Sequence, residues 1–312
     1  MQIKKPKFWD LKEQSLYSYL LWPLSKSLEL VSFFKIKRKK KFSDIKTICI
    51  GNIYIGGTGK TSLSIKVDKL LKNKNIKTCF IKKYYSNQAD EIKLLEKYGK
   101  VFTATNRIDA IQKAIKEKYE FAIFDDGLQD YSIDYDLKIL CFNNINWIGN
   151  GQVIPAGPLR ENLNKVKDYK YIFLNGNLEN LKNIKETIKK INPKSQIFIG
   201  IYKPSNLDEF KISEKYLVFS GIGNHQTFLS MLKNYKFNIT HDLEFPDHYI
   251  YSKEDLEKII AKSKELDCKI VTTEKDFLRI KNNNFNEIKF IKSELFIQDE
   301  EKLINDIFKL NE

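Results

Sequence analysis

Apolar residues in this chain fall into short unbroken runs separated by stretches with helical spacing. The runs at Thr47–Ile50 (TICI), 78–81, 121–125, 137–142 and 170–174 are β-branched or aromatic and lack polar alternation. That pattern predicts strands buried on both faces. Between them, residues 60–72, 107–118 and 179–191 repeat apolar positions at the spacing of an amphipathic helix. Strand and helix in alternation predict an α/β fold, a parallel sheet with helices on both faces. Residues 195–205 (SQIFIGIYKPS) read as an extended connection carrying Pro204. Beyond it a second set begins: strand 216–219, helix 225–234, helix 253–265 and strand 269–273. The last of these helices is announced by Ser252 and Asp255, spaced as a capping box. The predicted organisation is a larger domain over 42–200, followed over 201–312 by a linker and a smaller C-terminal α/β domain that contributes to a shared cleft.

The first 41 residues have a different texture. Residues 16–34 (LYSYLLWPLSKSLELVSFF) are rich in Leu and aromatics but are interrupted by Pro23, Lys26 and Glu29. They fall short of the roughly 20 consecutive apolar residues that a spanning helix needs. No cleavable signal is visible, and the cationic run Lys35–Lys41 (KIKRKKK) follows. An apolar, aromatic-bearing helix next to a basic cluster predicts an amphipathic segment lying in the interface of an anionic leaflet. The competing reading is a core-packing helix followed by a solvated charge run.

Charge changes the picture less than its size suggests. The formal net charge is +14, carried by 50 Lys and only four Arg. Apart from residues 35–41 the lysines are spread along the chain, and no aromatic–basic interleaving marks a nucleic-acid surface, so no nucleic acid is expected. Where Lys is the default cation, the rare Arg107, Arg160 and Arg279 become candidates for work that needs a planar fork. The four cysteines lack metal-ligand spacing, and three lie in strand-like runs, which predicts buried thiols in a reducing compartment.

The chemistry concentrates around Gly56-Gly57-Thr58-Gly59-Lys60-Thr61, set between the TICI strand and a helix. Glycines there let backbone N–H groups turn toward an anion, and the helix N-terminus adds positive potential. Lys60 is placed to reach the β/γ-phosphates of a nucleotide, and the Thr61 hydroxyl to bind Mg²⁺. The first glycine of G-x-x-x-x-G-K-[ST] is missing, with Tyr54 in its place. A second strand, in EFAIFDDGLQD, ends at Asp125-Asp126, with Gln129 close by. Either carboxylate suits the Mg²⁺ side of a phosphoryl-transfer centre, the other orienting water or substrate. Downstream, GNGQVIPAGPLRE (Gly149–Glu161) is a long loop carrying Arg160. FSGIGNHQTF (Phe219–Phe228) is a further strand–glycine turn–helix, and FPDH sets Asp247 and His248 before a helix. With three His in the chain, that pair points to acid/base work.

Together GN-x-x-x-GGTGKT, DDGLQ, GNGQVIPAGPLRE, FSGIGN, FPDH and TEKD, with FWD…LLWPLS before them, span nearly the whole chain. In this order they resemble the tetraacyldisaccharide 4′-kinase family. The family's phosphate loop does without the first glycine. The resemblance implies a P-loop NTPase-like fold and transfer of the ATP γ-phosphate, with Mg²⁺, to the 4′-hydroxyl of an acylated disaccharide 1-phosphate lipid at the cytoplasmic face of the bacterial inner membrane. It implies that Thr61 and Asp125 lie on the metal side and that Asp126 and Gln129 lie at the reaction centre. Asp90, in the family's Gly-Asp-Glu position (here Ala89-Asp90-Glu91), would act with His248 on the sugar hydroxyl, while Arg160 and Glu161 would line the same cleft. The chain departs from the family over Ile81–Glu91, which is shortened: Ser-Arg-Gly-Tyr after the second strand is absent, with Lys83 in the arginine position and Tyr84 in the glycine position. A rival reading, a membrane-associated P-loop ATPase switch, needs neither FPDH nor PAGPLRE. A monomer is expected.

Overall fold

The computed structural model describes residues 5–11, 13–33, 39–84, 89–280 and 285–310, with backbone only for residues 31–33 and 89. Part of the basic run at 35–41 and residues 85–88 of the shortened segment lie outside the described residues. Helix α1 covers Leu16–Phe33, and β1 (Lys46–Gly51) leads through the phosphate loop into α2 (Lys60–Lys72). There follow β2 (Thr78–Lys83), α3 (Ala89–Glu96), β3 (Val101–Ala104), α4 (Arg107–Lys116), β4 (Phe121–Asp125) and β5 (Leu137–Asn143). After the long loop come β6 (Tyr171–Asn175), α5 (Leu181–Ile191) and β7 (Gln196–Pro204). The second set is β8 (Lys215–Ser220), α6 (His225–Asn234), β9 (Asn238–Glu244), α7 (Lys253–Glu265), β10 (Lys269–Thr273), α8 (Glu274–Phe277) and β11 (Ile288–Ile291). The described chain closes with β12 (Ser293–Ile297) and α9 (Glu300–Phe308).

Eight strands form one sheet in the order β12-β7-β6-β5-β1-β4-β2-β3, and four form another in the order β11-β10-β8-β9. The second sheet is parallel throughout, and the first is parallel except where β12 runs against β7. The uninterrupted apolar runs are explained by cover on both faces. On one face α4 and α5 bury Ala110, Ile111, Ile184 and Ile188. On the other α2 and α9 bury Leu63, Val67, Leu303 and Ile307. The smaller sheet is likewise sandwiched between α6 and α7. Cys49, Cys79 and Cys141 are free and buried in or beside these strands.

Two expectations change. Residues 196–204 are a strand of the first sheet and not a connection outside it, tolerated there because Pro204 sits at its end. Residues 293–308, expected in the smaller domain, return to the larger one: β12 pairs with β7, and α9 packs on the face that α2 covers. The smaller unit is thus residues 205–292, inserted into the larger.

α1 is inverted relative to an ordinary surface helix. Two of its serines face the protein: Ser25 Oγ donates to Val153 O at 2.8 Å, and Ser18 Oγ accepts from Asn150 Nδ2 at 2.9 Å. Its apolar side chains point away, with Leu16 73%, Leu20 70% and Leu30 63% exposed. Among the described residues no helix is long and apolar enough to cross a membrane.

Candidate active site

β1 and β4 lie side by side at the sheet centre, so the turns leaving their C-terminal ends meet. Asn52, fully buried, staples the first turn: its Nδ2 donates to Tyr54 O at 2.6 Å and to Thr58 Oγ1 at 2.9 Å. Tyr54 turns away from the loop's inner side and packs with Val153 and Leu159, its hydroxyl donating to Asp10 at 2.7 Å. A side chain that leaves the cradle explains why no glycine is needed there. Gly59, at φ +76°, takes the left-handed turn that opens α2. Asn175 Nδ2 holds the adjacent Thr58 carbonyl at 2.8 Å.

β4 delivers two carboxylates in different directions, because Asp126 sits at φ +60° just past the strand end. Asp125 is buried, with the Thr61 hydroxyl at 3.2 Å, the Ser64 hydroxyl at 3.4 Å and Lys82 Nζ at 2.5 Å. Asp126 receives the Arg160 fork at 2.9 and 3.3 Å, with Lys60 Nζ at 3.9 Å. Burial opposes ionisation of Asp126, but Lys60 and Arg160 outweigh it and hold its pKa at about 2. Gln129 accepts from Arg160 Nη1 at 3.1 Å and donates to Asn52 O at 2.9 Å. Glu161 is bound by Tyr131 and Gln129, behind the wall that Arg160 forms, and burial raises its pKa. The long loop thus has two tasks. It binds Ser18 and Ser25 of α1 and, through Arg160, fixes Asp126.

Across a cleft of about 1300 Å³ stands the smaller unit. His248 Nδ1 lies 3.0 Å from Asp90 Oδ1, although the two are 158 positions apart. Asp90 occupies the first turn of α3, and Arg279 directs Nε and Nη2 at its other oxygen, at 3.1 and 2.7 Å. Burial disfavours the Asp90 anion, yet His248, Lys275 and Arg279 hold its pKa well below the usual carboxylate range. Neighbouring Glu91 takes Lys82 at 2.7 Å and Lys275 at 2.9 Å, with His248 Nε2 at 3.6 Å. The loop before α6 closes on the phosphate loop so tightly that a Cβ on Gly223 would lie 2.2 Å from Gly57 N.

Lys82, Glu91, Lys275, Asn52 and Asn175 are additions of the structure. Arg279 stood out in the sequence only as a rare arginine, and its partner there was not evident. The donor set suits the groups the sequence implied. A glycine turn with a left-handed position opening a helix, beside Lys60, fits a nucleotide's phosphates. A hydroxyl and a carboxylate 3.2 Å apart fit a hard cation that takes its remaining ligands from phosphate and water. Among the described residues no three side chains form an all-protein metal cage.

A mostly parallel sheet with a phosphate loop at its centre, an acidic strand end beside it and a carboxylate–imidazole pair opposite defines a P-loop phosphotransferase-type protein. A family model described as LpxK, tetraacyldisaccharide-1-P 4′-kinase, matches residues 17–311. A tetraacyldisaccharide 4′-kinase of Pelagibacter ubique is 59% identical over 314 residues, covering 100% of this chain and 99% of its own. One from Rickettsia akari is 35% identical over 97% of this chain and 96% of its own. Among solved structures, an "apo" form LpxK from Aquifex aeolicus in complex with ATP matches with a TM-score of 0.64 at 22% identity. The match covers 94% of this chain and 97% of that one, and at this identity it speaks to the fold. The chain belongs to the tetraacyldisaccharide 4′-kinase family.

Proposed function

We infer that this protein is a lipid A 4′-kinase. It transfers the γ-phosphate of ATP to the 4′-hydroxyl of a tetraacylated glucosamine disaccharide 1-phosphate. The observation that carries the residue roles is the Asp90–His248 contact, made between two units across a cleft floored by the phosphate loop.

Lys60 and the N–H groups of Gly56–Thr61 bind and orient the phosphates. When bound, Mg²⁺ on the Thr61 and Asp125 side neutralises charge on the transferring phosphates. Asp126, kept anionic and fixed by Arg160, holds Lys60 against the reaction centre. Asp90, kept ionised, accepts from His248 Nδ1–H and so leaves Nε2 as the basic nitrogen. The 4′-oxygen attacks the γ-phosphorus while its proton passes to Nε2, and the bond to the β-phosphate oxygen breaks. Positioning and charge neutralisation supply most of the rate, with base catalysis adding about 10²–10⁴-fold.

The outward apolar face of α1 supports attachment to an anionic membrane surface, where the lipid substrate resides. We place the enzyme at the cytoplasmic face of the inner membrane, as a monomer. A detergent-micelle assay with ATP, Mg²⁺ and the tetraacyl disaccharide 1-phosphate tests the reading, using wild type, Asp90→Ala and His248→Ala. Product from wild type and large losses in both variants are expected. ATP hydrolysis without lipid product would overturn the kinase assignment, and loss in His248→Ala alone would overturn the role of Asp90.

A further inference from the structure

Lys82, next to last in β2, has 2% of its side chain exposed and bridges two carboxylates from different parts of the centre. Its ammonium lies 2.5 Å from Asp125 Oδ2, the oxygen that also takes the Thr61 hydroxyl, and 2.7 Å from Glu91 Oε2, next in chain to Asp90. The phosphate loop already supplies one lysine, Lys60, which faces Asp126. Lys82 is therefore a further fixed cation, seated on the other carboxylate of the strand end.

We propose that Lys82 is an internal cation of the phosphoryl-transfer centre, a positioning residue that supplies beside Asp125 part of the charge a divalent ion otherwise provides. The proposal rests on the reading of Asp125 as the metal-side carboxylate. It has two consequences. The ammonium helps hold a polyanionic nucleotide even when no divalent ion is present. It also cancels part of the attraction of Asp125 for that ion, so nucleotide binding and metal binding are less strongly coupled than Asp125 with Thr61 alone would make them. Through Glu91, which also takes Lys275, the same ammonium ties the metal side to the helix that carries Asp90.

The test measures ATP affinity of the full chain in detergent micelles, by calorimetry, in EDTA and in saturating Mg²⁺. The readout is the ratio of the two dissociation constants. Wild type should bind ATP in EDTA with only modest tightening by Mg²⁺. Lys82→Met should bind more weakly in EDTA and gain more from Mg²⁺, raising the ratio about tenfold, as expected for one charge removed from a partly buried site. Lys82→Arg, which keeps the charge, should return the ratio toward wild type. Because Lys82→Met leaves Glu91 short of a partner, the double variant Lys82→Met/Glu91→Gln provides the same readout in a chain with less buried charge unpaired. A lower melting temperature with an unchanged ratio in both variants would make Lys82 a structural bridge and overturn the proposal. Wild type that binds no ATP under either condition would instead overturn the phosphate-loop reading, and this proposal with it.

Discussion

Gly223→Ala adds a single methyl group where the two units touch. Its Cβ would fall 2.2 Å from Gly57 N, 2.7 Å from Gly57 Cα and 2.8 Å from Asp247 Oδ2. Non-bonded heavy atoms settle near 3.5 Å, so the loops must part by about 1 Å. Both sides of the contact with Gly57 are main chain, and neither can rotate away. The units can relieve the clash by opening, since the methyl group enters neither core. The Asp90–His248 hydrogen bond crosses the same gap at 3.0 Å, and about 1 Å more takes it beyond hydrogen-bond reach. Misplacement on that scale costs about 10²-fold in turnover. Steady-state assays with lipid substrate should therefore show kcat down about 10²-fold, while ATP affinity stays near wild type because the phosphate loop is unaltered. Thermal unfolding should shift by no more than about 2 °C, since no core packing changes. Turnover within threefold of wild type would refute the reasoning, because it would mean that the observed approach of the two loops is not part of the productive state. A large drop in melting temperature would refute it differently, by locating the strain inside one unit.

Arg279→Lys removes the fork from Asp90; kcat should fall about tenfold while ATP affinity is unchanged, because Asp90 and the His248 it orients lose their fixed geometry. A kcat within twofold of wild type would exclude that role. Asp126 has a pKa of about 2 against an ordinary 3.8, so its stabilisation is complete above about pH 4 and is lost as pH falls toward 2. Urea unfolding should accordingly show Asp126→Asn about 2 kcal/mol less stable at pH 7, with the gap closing over that acid range and nowhere else. Replacing Leu20, Leu24 and Leu28 of α1 together by Glu should cut co-sedimentation with anionic vesicles at least tenfold while leaving the melting temperature unchanged, because these side chains are exposed. Undiminished sedimentation would remove α1 as the anchor.

What the sequence made legible was local. The phosphate loop, its flanking strand and helix, and the acidic strand end lie within contiguous stretches whose chemistry is readable residue by residue. The capping box at Ser252 forms as its spacing suggested, and helix 253–265 runs as predicted. Elements that depend on distant partners were harder. β9 (NITHDLE) is a polar edge strand with half-buried alternation, so no apolar run announces it. β12 is five residues long and makes sense only beside β7. Asp90 meets His248 only after two units have folded and docked, and the family resemblance supplied that pair where periodicity could not. Lys82 was invisible for a compositional reason: one lysine among 50 carries no signal until its two carboxylates are seen around it. The arginines were the reverse case. Arg160 and Arg279 each grip a carboxylate that the site uses, and Arg107 Nη2 donates to the Asp126 carbonyl at 2.5 Å.

The return of β12 and α9 to the first sheet sets an order of events during synthesis. The strands from β1 to β7 leave the ribosome first, but the face of α2 stays partly bare until Leu303, Ile304 and Ile307 arrive. During that interval β7 presents an open edge, and the inserted unit, complete by Ile291, can fold while its host is still unfinished. A released chain that ended near residue 292 would thus carry a finished smaller domain on an uncapped sheet. It would have every residue of the phosphate loop and both members of the Asp90–His248 pair, yet lack the last strand that closes the platform beneath them.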